Sequence, residues 1–214
     1  LFVPLPLFAT LCLALLLCRI LVTRDMSLRA HQLFAGLIAL YAVQSLLVSL
    51  RWGYGIEGIA TYLIVLAPVL PALAYLSYAA LTGQQTVRRY WPLGVIVFNW
   101  VAFAVLPVIP DPLILMTYLG FGFLLLRFWW RGTDALSMSP INNAKDIRFA
   151  MCLTGAALVL SGLTDIYLII DFIQNDGRNA GLILTFVQTA FIVVIGVSAS
   201  FGRVAETTEP DRDG

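Results

Sequence analysis

From Val3 to Phe201 the sequence is a succession of apolar runs about 20 residues long, separated by short polar connections. As a helix, each run reaches across the roughly 30 Å hydrocarbon core of a bilayer, where every backbone polar group has to be satisfied inside the protein. The runs are continuously apolar and do not alternate, so helices and not barrel strands are expected. Only 12% of the 214 residues are charged, against about a quarter in an ordinary soluble domain. The fold class that follows is all-α, a polytopic membrane bundle.

A window of about 19 residues gives seven candidate transmembrane helices. They run from about Val3 to Val22, His31 to Arg51, Gly58 to Leu81, Pro92 to Ile109, Pro112 to Trp130, Ile147 to Ile173 and Ala180 to Phe201. Pro68 and Pro71 remove backbone donors from the third span and should kink it; the fourth span is short. Residues 1–202 form the transmembrane domain, and 203–214 read as a flexible cytoplasmic tail. No basic segment precedes the first run, which argues against a cleaved signal peptide.

Orientation follows from the basic residues of the connections. Arg19, Arg24, Arg29, Arg88, Arg89, Arg127, Arg131, Lys145, Arg148, Arg203 and Arg212 fall on one side, and Arg51 and Arg178 on the other, which divides the 13 into 11 and 2. The N-terminus is therefore expected outside and the C-terminus in the cytoplasm of a bacterial inner membrane. Tyr90, Trp91, Trp129 and Trp130 would form an inner aromatic belt, and Trp52 and Tyr54 would mark the outer one.

That topology gathers acidic residues near the outer face, with Asp165 inside the sixth span and Asp171 and Asp176 toward its exit. An ionisable group at membrane depth costs on the order of 3 kcal/mol, so Asp165 should face the bundle interior, paired or protonated. Asp165, Asp171, Arg51, Trp52, Tyr54 and Glu57 form the candidate ligand-binding set. Three readings of Asp165 stay open: a staple to Arg51 or Arg178, a small-ligand or ion pocket opening outward, and a proton or cation path. Gln44, Asn99 and Gln188 are further mid-span polar residues suited to inter-helix hydrogen bonds. The pair Ala157 and Ser161 is spaced to let helices approach closely.

Several functions are excluded or unsupported. Lys145, the only lysine, lies in an inner connection, so no span offers a Schiff-base lysine. No enzyme motif of the HExxH, GxSxG or P-loop kind is present, and enzymatic activity is not expected. Cys12, Cys18 and Cys152 lie in apolar runs without CxxC spacing or nearby histidines, so neither metal nor cofactor is expected. A net charge of +1 and the lack of a concentrated basic face argue against direct nucleic-acid binding by these residues.

The segments RWGYGIEG, APVLPALAYLSYAAL, YLGFGFLLLRFWWRGTDAL and SGLTDIYLIIDFIQNDGRNAGLIL resemble the membrane-embedded N-terminal region of bacterial AraC-type transcriptional regulators. The resemblance implies a multi-span sensor whose seventh span passes a conformational change to a cytoplasmic helix-turn-helix domain C-terminal to this chain. These 214 residues contain no helix-turn-helix. A homodimer or a larger membrane complex is a further possible state. Competing readings are an accessory or structural subunit of such a complex and, third, a small-solute transporter.

Overall fold

A computed structural model describes residues 5–23, 29–80, 90–106, 110–130, 144–180, 182–183 and 186–187. Seven α-helices order these residues: α1 (Leu5–Thr23), α2 (Arg29–Val48), α3 (Ala60–Leu66), α4 (Val69–Ala79), α5 (Trp91–Val105), α6 (Pro110–Trp130) and α7 (Ala144–Asn175). A π-helical turn, Ser49–Gly53, continues α2, and a 3₁₀ turn, Glu57–Ile59, leads into α3. Among the described residues there is no strand.

Five segments are long and apolar enough to cross a membrane: Pro6–Thr23, His31–Gly53, Glu57–Ala79, Pro112–Trp130 and Arg148–Asn175. They match five of the seven expected spans. The fourth is a shorter helix, α5, whose 15 residues measure roughly 22 Å, less than the hydrocarbon thickness. Most of the seventh, Ala180–Phe201, lies outside the described residues, as does the tail.

The third span, expected to be kinked by Pro68 and Pro71, is broken at Pro68. Pro68 has no N–H for the carbonyl of Ile64, and the helix stops at Leu66 and restarts at Val69. Pro71 is then the third residue of α4, where an N–H has no partner within the helix, so its missing donor costs nothing. At the break the Trp100 indole N–H of α5 donates to the Val65 carbonyl at 2.9 Å. Replacing Trp100 with phenylalanine keeps the ring and removes that bond, and should lower stability by about 0.6 kcal/mol, read from thermal unfolding in detergent.

The α4 helix is the hub. It touches α2, α5, α6 and α7, and Leu70, Ala72, Ala74, Leu76, Ser77 and Tyr78 along it are buried. The α1 helix packs on α2, antiparallel, with Ser45 near the end of α2 donating to the carbonyl of Pro6 at the start of α1, 2.8 Å. Hydroxyls that face neighbouring helices are quenched on their own: Ser77, Thr117, Thr154 and Thr164 each donate to the carbonyl four residues back at 2.8 Å.

The α6 and α7 helices pair antiparallel and close. A Cβ on Gly122 would stand 2.8 Å from Val159 Cγ2 and 3.1 Å from the Gly155 carbonyl oxygen. One on Gly155 would stand 3.1 Å from the Gly122 carbonyl, and one on Gly162 2.9 Å from Leu119. The close approach thus runs through Gly122, Gly155 and Gly162, while the expected pair, Ala157 and Ser161, lies on the same helix beside that seam.

Each pair of contacts also fixes the ends of the bundle. At one end Phe34 meets Tyr78 edge-on at 5.1 Å, and Tyr75, Trp91, Phe121 and Phe128 form a four-ring cluster with centroids 5.2–5.7 Å apart. Arg148 Nε donates to the Trp129 carbonyl there, 3.2 Å. Trp91, expected in an interfacial belt, takes part in this cluster and is 41% exposed. Among the described residues, Arg127 and Arg148 share that end, and Arg51 and Arg178 belong to the opposite one.

Candidate functional site

The six expected site residues fall into two groups. Arg51, Trp52, Tyr54 and Glu57 lie in the π-to-3₁₀ connection that caps the bundle. Widening of the last turn of α2 into a π-helix re-aims its side chains. The chain then reverses through Gly55, whose φ of +71° is left-handed, with the Ile56 N–H bonded to the Leu50 carbonyl at 3.2 Å. Arg51 Nη1 donates to the backbone carbonyl of Glu57 at 3.0 Å, and the guanidinium lies 5.6 Å from the centre of the Trp52 ring. Arg51 therefore closes its own loop. Trp52 reaches the last turns of α7, 6.4 Å from Phe172. Tyr54 and Glu57 are exposed.

Asp171 joins this cap from α7 and is only 2% exposed. Its Oδ1 accepts from the side-chain amides of Asn175, 3.1 Å, and Asn179, 2.9 Å; its Oδ2 accepts the Asn179 backbone N–H, 3.0 Å. The carboxylate thus folds the chain back as it leaves α7. The turn needs two left-handed residues, Asp176 at φ 52° and Gly177 at φ 72°, and a Cβ on Gly177 would run into the Phe172 ring. Arg178, exposed in the same turn, uses its backbone N–H on the Asn175 carbonyl, 3.2 Å.

Asp165 is separate. It lies six residues below Asp171, about 9 Å along the helix axis, and is half-buried. It is engaged by a partner within the protein and lies within electrostatic range of Tyr118 on α6. Tyr118 of α6 and Tyr78 of α4 are buried, and Tyr41 of α2 is partly buried. The Tyr78 hydroxyl is 2.8 Å from Thr154 Oγ1, back on α7. Thr154 and Asp165 are three turns apart on one face of α7, with the buried Leu158 between them. The Tyr78–Thr154 pair thus joins α4 to α7.

The sequence reading did not single out Tyr78 and Thr154 as a pair: each is a single polar tip on an apolar helix, and only their contact in three dimensions marks them. Asn99 does bridge helices, its Nδ2 donating to the Thr117 hydroxyl of α6 at 3.2 Å and to the Val95 carbonyl at 2.9 Å. Gln44 Oε1 and Ser49 Oγ are buried without a hydrogen-bond partner. Gln188 lies outside the described residues.

Long apolar helices, with no strand among the described residues, in a chain only 12% charged are the marks of a helical membrane protein. No protein family, no curated protein and no solved structure matches the chain. What the site does is therefore argued from its own chemistry.

Proposed function

We propose that this chain is a membrane-embedded sensor or signal-transducing module of a bacterial inner membrane, similar to the N-terminal region of AraC-type regulators. In this reading the bundle has seven spans, with the N-terminus outside and the C-terminus in the cytoplasm, and the Arg51 and Arg178 end faces outward. The observation that supports it is Asp165, a half-buried carboxylate inside the long apolar helix α7 and about two turns below the turn organised by Asp171. A small ligand or an ion arriving at Asp165 changes the charge balance on α7 and at its packing against α6, and the break between α3 and α4 accommodates the motion. The cap formed by Arg51, Trp52, Tyr54, Glu57 and Asp171 frames the approach from outside. Output passes through the C-terminal span to a cytoplasmic partner, and these residues do not themselves bind DNA.

Screening purified protein for thermal shifts with small ligands and across pH tests this. A response is expected in the wild type and should be lost in Asp165→Asn; equal responses would sink the role given to Asp165. Orientation has its own check. With the native cysteines replaced by alanine, a cysteine at Glu57 should react with impermeant maleimide on intact cells, and one at Arg88 should react only after lysis.

A second reading, an accessory subunit of a larger membrane complex, draws support from α5. That helix is short for a span and exposes Val97, Phe98, Val101 and Val105. Co-purification of a stoichiometric membrane partner would favour it.

A further inference from the structure

We propose that the paired ends of α6 and α7 hold the phosphate of one anionic phospholipid, gripped by Arg148 beside Trp129. This takes from the proposed function only that the spans lie in a bilayer.

Arg148 is half-buried in the second turn of α7. Its Nε donates to the Trp129 carbonyl of α6 at 3.2 Å, and its guanidinium lies over the Trp129 ring, 5.7 Å from the centre. The two contacts orient the group before any ligand arrives. A guanidinium has more N–H donors than these contacts use. Among the described residues, the Nη groups of Arg148 have no hydrogen-bond acceptor and no carboxylate partner. A planar fork of donors left open in this way matches two oxygens of a phosphate.

Depth decides which phosphate. The apolar spans Pro112–Trp130 and Arg148–Asn175 end and begin here, so Arg148 and Trp129 stand where hydrocarbon gives way to headgroups. Trp130, 84% exposed, and Phe149, 61% exposed, follow them in sequence and offer apolar surface to the upper carbons of the acyl chains. A dissolved phosphate uses the guanidinium alone, whereas a phospholipid uses both. The headgroup has to carry a net negative charge, because a zwitterionic lipid brings its own ammonium to the same place. Arg127 lies outside the grip: two residues before Trp129, it projects from the other side of α6.

Native mass spectrometry in mild detergent, with phosphatidylglycerol and phosphatidylcholine supplied equally, tests the site. The wild type should bind phosphatidylglycerol about fivefold better. Arg148→Gln should abolish that preference, and Arg148→Lys, which keeps the charge but not the fork, should fall between. Arg127→Gln should behave as wild type. No preference in the wild type, a preference that survives Arg148→Gln, or one lost equally in Arg127→Gln overturns the proposal. Trp129 fluorescence gives a readout that does not depend on the Arg148 variants folding. With Trp52, Trp91, Trp100 and Trp130 changed to phenylalanine, phosphatidylglycerol spin-labelled near the top of its acyl chains should quench Trp129 in vesicles more strongly than phosphatidylcholine with the same label. Added inorganic phosphate should leave the difference in place. Equal quenching, or a difference erased by phosphate, overturns the lipid site. A chain that does not enter vesicles at all overturns the membrane reading along with it.

Discussion

Gly155→Leu is expected to leave little or no folded protein in a detergent extract. A Cβ at Gly155 meets the Gly122 carbonyl oxygen and Leu126 Cγ at 3.1 Å and Leu125 Cβ at 3.2 Å. A side-chain tip can swing aside, but the backbone carbonyl cannot, so the two helices have to separate. Overpacking by a few carbons costs about 1–3 kcal/mol in most cores and more where backbone blocks relaxation, so Gly155→Ala should fall in that range and leucine beyond it. Ala156→Leu, on the exposed neighbour, is the control and should behave as wild type. Size-exclusion profiles and thermal unfolding read the difference. If Gly155→Leu melts within a few degrees of the wild type, α6 and α7 are not in the contact described.

Asp171→Ala should release the turn that follows α7. The carboxylate accepts three hydrogen bonds, from Asn175 and twice from Asn179. Hydrogen bonds to a charged group contribute about 1.5–3 kcal/mol each, and not additively, so a local loss of about 3 kcal/mol is expected. Asp171→Asn should recover less than half, because its amide turns a donor toward donors. Arg178 provides the readout, since it sits exposed in that turn. Each 1.4 kcal/mol of local opening speeds cleavage about tenfold when opening is fast, so trypsin should cut after Arg178 roughly a hundredfold faster in Asp171→Ala. Cleavage at the wild-type rate would show that the carboxylate does not hold the turn.

These two sites mark how far the sequence could be read. The five long spans and the break at Pro68 follow from composition and covalent chemistry, because apolar length and a missing N–H act within a single segment. Helix pairing was less accessible. Ala157 and Ser161 have the spacing of a close contact, yet contact falls at Gly155 and Gly162, because the rotation of α7 about its axis is set by its fit to α6.

The candidate site divided for a similar reason. Arg51 is the right charge to answer Asp165, but the π-helical turn sends it to the Glu57 carbonyl. Such a turn has no sequence mark of its own here. Asp171 looked like a ligand group because it is an acid at the edge of an apolar helix. The run from Asn175 to Asn179, with Asp176 and Gly177 inside it, was the signal that a carboxylate one turn upstream would be organising a reversal. The Tyr78–Thr154 contact left no trace in one dimension, since the two residues come from different helices.

The position of α4 at the hub has a consequence for biosynthesis. Chains emerge from the ribosome in order, at about 5–20 residues per second. The α1–α2 pair can close as soon as both have been made, but Tyr78 on α4 has to wait for Thr154, 76 residues later. For several seconds the most extensively packed helix of the finished bundle therefore has α2 beside it and no α6 or α7, and the hydroxyl of Tyr78 lacks its eventual partner. During that interval the nascent chain is the form on which insertion factors and quality-control proteases act.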